Sequence, residues 1–110
     1  MWVRVKSRRA VQDTLWRYHD RMADNSAAER SPLSLAVAAQ IRAERAAKGW
    51  TQAETEKASG IPHSTYVRLE AATRVANVTQ LYRLCSAWEV PLAEFMRRAN
   101  DRIEGDAERT

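Results

Sequence analysis

His63, Ser64, Thr65 and Arg68 stand within one short stretch of this chain, and together they carry an imidazole, two hydroxyls and a guanidinium. Those groups suit hydrogen bonding to the edges of nucleic-acid bases. A guanidinium meets guanine O6 and N7 in bidentate fashion, hydroxyls accept and donate, and an apolar neighbour such as Val67 can touch a thymine methyl. Gln52 lies directly after Thr51, where an amide at a helix N-terminus can donate to a phosphate beside exposed backbone N–H groups. Residues suited to catalysis are sparse by comparison. The two histidines are His19 and His63, the single cysteine is Cys85, and no phosphate loop, metal-ligand pair or nucleophile triad is visible. The sequence therefore points to binding rather than to an enzyme, and to no cofactor.

The elements that position these side chains can be read from caps and turns. Thr51 suits the cap of a first helix, Gly60 supplies the left-handed residue that ends it, and Pro62 suits the first turn of a second. The stretch Thr51 to Glu70 is thus two short helices around a tight turn, with His63, Ser64 and Thr65 in the opening turn of the second and Arg68 one turn on. Before it, a helical register runs through Leu35, Ala38, Ile41 and Arg45 from Pro32 to a terminator at Gly49. After it, Asn77 caps a helix through Leu81, Leu84 and Trp88, and Pro91 opens another through Leu92, Phe95 and Met96.

Outside this block the chain changes character. Met1 to Lys6 alternates apolar and polar residues, which suits a short edge strand or an ordered arm. Val11, Leu15, Tyr18 and Met22, broadened by Trp16 and His19, then predict an amphipathic helix from about Ser7 to Ala23. Asp24 to Pro32 is a polar connector. Asn100 to Thr110 has one branched aliphatic residue, Ile103, and is expected to fray. The organisation is an arm and helix over 1–30, a core domain over 33–99, and a disordered tail over 100–110.

Composition agrees with an all-α domain, because Gly and Pro number three each and charged residues make up 29%. Lys and Arg total 18 against 14 Asp and Glu, a net +4, which suits a polyanionic partner. The tail is acidic, so the positive charge lies ahead of it. Cys85 falls in the apolar register of Leu81, Leu84 and Trp88 and reads as a small buried hydrophobe; with no secretory or long apolar segment, the expected setting is reducing and cytoplasmic, in a bacterial nucleoid or a phage-infected host, away from membranes.

Three stretches in order, IRAERAAKGWTQ, SGIPHSTYVRLE and TQLYRLCSAWEVPLAEF, resemble the helix-turn-helix domain of Cro/cI-type phage repressors and the wider XRE family of regulators, over residues 34–99. The resemblance implies a five-helix, lambda-repressor-like domain, here with an additional N-terminal helix. It implies a sequence-specific regulator on double-stranded DNA, a repressor binding as a homodimer to a palindromic operator. His63, Ser64, Thr65, Val67 and Arg68 would read bases, and Thr51, Gln52 and Arg74 would hold phosphates. Arg45 and Glu70 match a partly buried ion pair that fixes the angle between helices. Arg42, Lys48, Arg97 and Arg98 are expected to be solvated.

The chain departs from the family at Thr55 and Glu56, where a Leu and an Ala are usual, and at Ala72, where Gly is common; the last suggests a longer recognition helix or a different exit turn. Glu56 must point outward or pair locally with Lys57 or His63. The N-terminal stripe of Leu15, Trp16, Tyr18 and Met22 can pack on its own domain or form a dimer contact. Arg4, Lys6, Arg8 and Arg9 read as solubilising charge or as a minor-groove arm. With no separate C-terminal domain expected, the pattern is that of a compact, Cro-like regulator. The competing possibility from the same fold is an antitoxin, with the N-terminal helix as the element that binds a toxin partner.

Overall fold

A computed structural model describes residues 31–109, and over them the chain forms five helices: α1 (Pro32–Lys48), α2 (Gln52–Ser59), α3 (His63–Glu70), α4 (Val78–Trp88) and α5 (Leu92–Arg109). The expected N-terminal helix, the basic arm and the set Leu15, Trp16, Tyr18 and Met22 lie outside the described residues.

Each helix starts and stops for a local reason. Ser31 Oγ accepts from the Ser34 N–H at 3.1 Å with Pro32 in the first turn of α1, and the helix ends at Gly49 with φ +70°. Thr51 and Glu54 form a reciprocal capping box at α2, the hydroxyl accepting from Glu54 N at 3.1 Å and the carboxylate from Thr51 N at 2.9 Å. Gly60, at φ +75°, ends α2 with its N–H on the Glu56 carbonyl. A second capping box, Asn77 with Gln80, opens α4.

α3 stops at Glu70 and leaves by the usual turn, so neither the longer helix nor the different exit expected from Ala72 is found. Ala72 N–H donates to Leu69 O and Thr73 N–H to Arg68 O, a Schellman arrangement whose left-handed position is filled by Ala72 at φ +61° instead of by glycine. The backbone therefore keeps the turn and accepts an alanine in a conformation that costs it energy.

The core is built where the five helices meet. Ile41, Tyr66, Leu69, Leu84, Trp88 and Phe95 are fully buried, with the Trp88 and Phe95 rings stacked at a centroid distance of 6.1 Å. α1 packs along α5 and against α3, while α2 bridges α3 and α4, so α3 is held from two sides. Leu35 does not join this core: Ala38 and Ile41 are buried, but Leu35 is 51% exposed, because the inward face of α1 runs through Ser34, Val37, Ile41 and Glu44.

The tail expected to fray is instead the last part of α5. Arg98 donates to buried Glu44 at 2.7 Å, Arg102 to Gln40 at 2.8 Å, and Gln40 to Glu44 at 2.7 Å. This polar seam, together with Ile103 against the core, fastens the end of α5 to α1. Arg98, expected to be only solvated, is thus also an interhelical partner. None of the described helices is long and apolar enough to cross a membrane.

Candidate nucleic-acid interface

The turn between α2 and α3 is short and filled from below. Ile61 is buried there, and Ser59 Oγ donates to the Thr55 carbonyl at 2.7 Å while receiving the Ile61 N–H at 3.4 Å. Thr55 itself is fully buried, and its hydroxyl donates to the Thr51 carbonyl at 3.2 Å. A polar residue is tolerated at this crossing because its own helix supplies the acceptor. Glu56 turns away from the crossing and pairs with His63 Nδ1 at 2.8 Å.

Glu70, at the end of α3, is where three helices are tied together. Its carboxylate accepts from Arg45 Nε at 2.7 Å, Arg45 Nη2 at 3.2 Å, Gln52 Nε2 at 3.0 Å and the Tyr66 hydroxyl. Arg45 also closes the Trp50 carbonyl at 3.1 Å, and Arg42 donates to the Glu70 main-chain carbonyl. Burial alone would raise the Glu70 carboxyl, but the hydrogen bonds from Arg45, Tyr66 and Gln52 outweigh it and hold the group below the usual carboxylate range. Arg45 is correspondingly raised, chiefly by its hydrogen bond to Glu70, and the Tyr66 hydroxyl is pushed up by burial and by that same carboxylate.

With that side of α3 fixed, the opposite side is open. Tyr66, Leu69 and Glu70 face inward, whereas His63, Ser64 and Arg68 are exposed and Thr65 and Val67 half-buried at the edge. The N-terminal turn of α3 has no side-chain cap. Thr51 is exposed with its hydroxyl committed to the capping box, and Arg74 is exposed in the loop that follows α3. Gln52 is half-buried, and one of its amide protons is committed to Glu70, which leaves the other for an outside acceptor.

Of the residues singled out from sequence, Gln52 joins Arg45 on Glu70 at the end of α3, His63 meets Glu56 at its start, and Ser64 and Arg68 lie exposed between them. Three partners were not anticipated. Tyr66 sits one helical turn before Glu70, a spacing that could have suggested it. Neither Gln52 nor Arg42 has a comparable local signal, since both reach Glu70 across the fold. Among the described residues no group of three or more His, Cys, Asp or Glu is placed to hold a metal ion.

Residues 41–95 match a protein-family model described as helix-turn-helix. No curated protein and no solved structure matches the chain.

Proposed function

The chain belongs to the helix-turn-helix family and is a DNA-binding regulator of transcription, and from that premise we propose that it acts as a sequence-specific repressor, binding double-stranded DNA as a homodimer on a palindromic operator. The observation that carries this reading is the two-sidedness of α3. Its inner side is anchored by Tyr66, Leu69 and Glu70, and its outer side offers His63, Ser64, Val67 and Arg68 to a groove. A helix held in this way can be laid in the major groove, N-terminal turn first, without losing its angle to the domain.

In this reading the side chains divide the work. Arg68 reaches a guanine edge, His63, Ser64 and Thr65 address neighbouring bases, and Val67 touches a thymine methyl. Gln52, Thr51 and Arg74 hold phosphates and set the register. A single reading head of this size makes few base contacts, and pairing two heads on half-sites about one helical turn apart supplies the missing specificity. Occupying an operator excludes polymerase without any further domain.

Selection of bound sequences from a random duplex pool, with the mass of the protein measured on and off the selected DNA, tests the proposal. A palindromic consensus and a dimer on DNA are expected. Arg68→Ala should lose preference at its base position, at a cost of about 1–3 kcal/mol, whereas Gln52→Ala should bind all sequences more weakly and keep the consensus. Variants that both bind as the parent does would remove α3 and Gln52 from the interface.

A further inference from the structure

We propose that Glu56, on α2, is a positioning residue that fixes which ring nitrogen of His63 faces DNA, and that the base opposite His63 is one carrying an amino group, adenine or cytosine. The assignment rests on the reading of α3 as the recognition helix. It explains a carboxylate on a surface otherwise suited to phosphates, where it is electrostatically out of place.

His63 is the first residue of α3, and its side chain is 73% exposed, while that of Glu56 is 13% exposed. A side chain so exposed would ordinarily sample several rotamers. Here Nδ1 lies 2.8 Å from Glu56 Oε2, and the carboxylate belongs to a helix packed against α3, so the ring is tethered from outside its own helix. A carboxylate oxygen only accepts, so the proton of the neutral ring sits on Nδ1 and the lone pair on Nε2. Nε2, turned away from Glu56, is then a fixed acceptor. In the major groove the donors are adenine N6 and cytosine N4, whereas guanine O6 and N7 and thymine O4 present lone pairs and are disfavoured.

Two effects of Glu56 separate cleanly by substitution. Glu56→Ala removes both the negative charge and the acceptor for Nδ1–H. Glu56→Gln removes the charge but keeps a carbonyl oxygen able to accept. Loss of the charge alone should tighten binding to every sequence in both variants. Loss of the tether should appear only in Glu56→Ala.

The experiment is duplex selection at pH 8, followed by competition binding on the consensus site and on duplexes changed at one base pair, for the parent, Glu56→Ala, Glu56→Gln, His63→Ala and the double variant. All are first checked for parental helicity and melting, since the Glu56 side chain is mostly covered. The parent should prefer one base pair over the same pair reversed at a single position, since reversal moves the amino group away from His63, by about fivefold to tenfold, the worth of one hydrogen bond. Glu56→Ala and His63→Ala should erase that preference and no other, Glu56→Gln should retain it, and Glu56→Ala should have no effect on preference in the His63→Ala background. An unchanged preference in Glu56→Ala, or a Glu56→Gln that behaves like Glu56→Ala, overturns the assignment while leaving DNA reading by α3 intact. A parent with no sequence preference at all would overturn both.

Discussion

Replacing Glu70 by alanine should be among the most damaging single changes available in this domain. The carboxylate is 5% exposed and receives two hydrogen bonds from Arg45, one from Gln52 and one from Tyr66. Breaking a buried ion pair by removing one partner costs about 3–5 kcal/mol. Arg45 is 25% exposed and can recover some hydration, which lowers its share. Tyr66 is fully buried and cannot, and a stranded buried hydroxyl costs about 1–3 kcal/mol on its own.

The two terms overlap, and the exposure of Arg45 puts the loss at the low end, about 3 kcal/mol, a large part of the roughly 4–12 kcal/mol expected for a domain of this size. With a urea slope of about 1 kcal/mol per molar, the unfolding midpoint followed by circular dichroism should fall by about 3 M at unchanged slope. Glu70→Gln, which keeps an oxygen for Arg45 or Tyr66, should lose about half as much. The sign of the pH dependence is fixed by the depressed Glu70 carboxyl: its contribution is full above the unfolded carboxylate range near pH 4.3 and is lost as pH falls through the lower folded value. The gap between the parent and Glu70→Gln should therefore narrow on acidification. A midpoint shift below about 1 M for Glu70→Ala would refute the view that this carboxylate is what joins α1, α2 and α3.

Ala72→Gly should stabilise the protein by about 0.5–1 kcal/mol, because Ala72 holds φ +61° and glycine removes the left-handed penalty while adding some unfolded-state entropy; an unchanged or lowered melting temperature would contradict this. Cys85 is 3% exposed, and burial, with the nearby Glu44 charge, pushes its thiol up to about 11. At pH 8 it should therefore resist a disulfide reagent in the native state and react promptly in urea, and equal rates in the two conditions would place it at the surface.

The sequence by itself determined where most helices begin and end, because caps and terminators act over one turn. Ser31, Thr51 with Glu54, Asn77 with Gln80, Gly49 and Gly60 all make their bonds within four residues of themselves, so neighbouring letters suffice to find them. The register of α3, with His63, Ser64 and Arg68 outward and Tyr66, Leu69 and Glu70 inward, follows from the same short-range periodicity.

Only the tertiary structure decided what meets across the fold. Residues 100–109 look unable to order themselves when their own apolar content is counted. Yet they merely prolong a helix already nucleated, and Gln40 and Glu44 of α1 receive Arg102 and Arg98 from far along the chain. Gln52 and Arg42 on Glu70, the outward Leu35 and the choice of His63 as the partner of Glu56 are of the same kind. Each depends on the crossing of two helices, and a crossing is set by the packed core as a whole and not by any one segment of sequence.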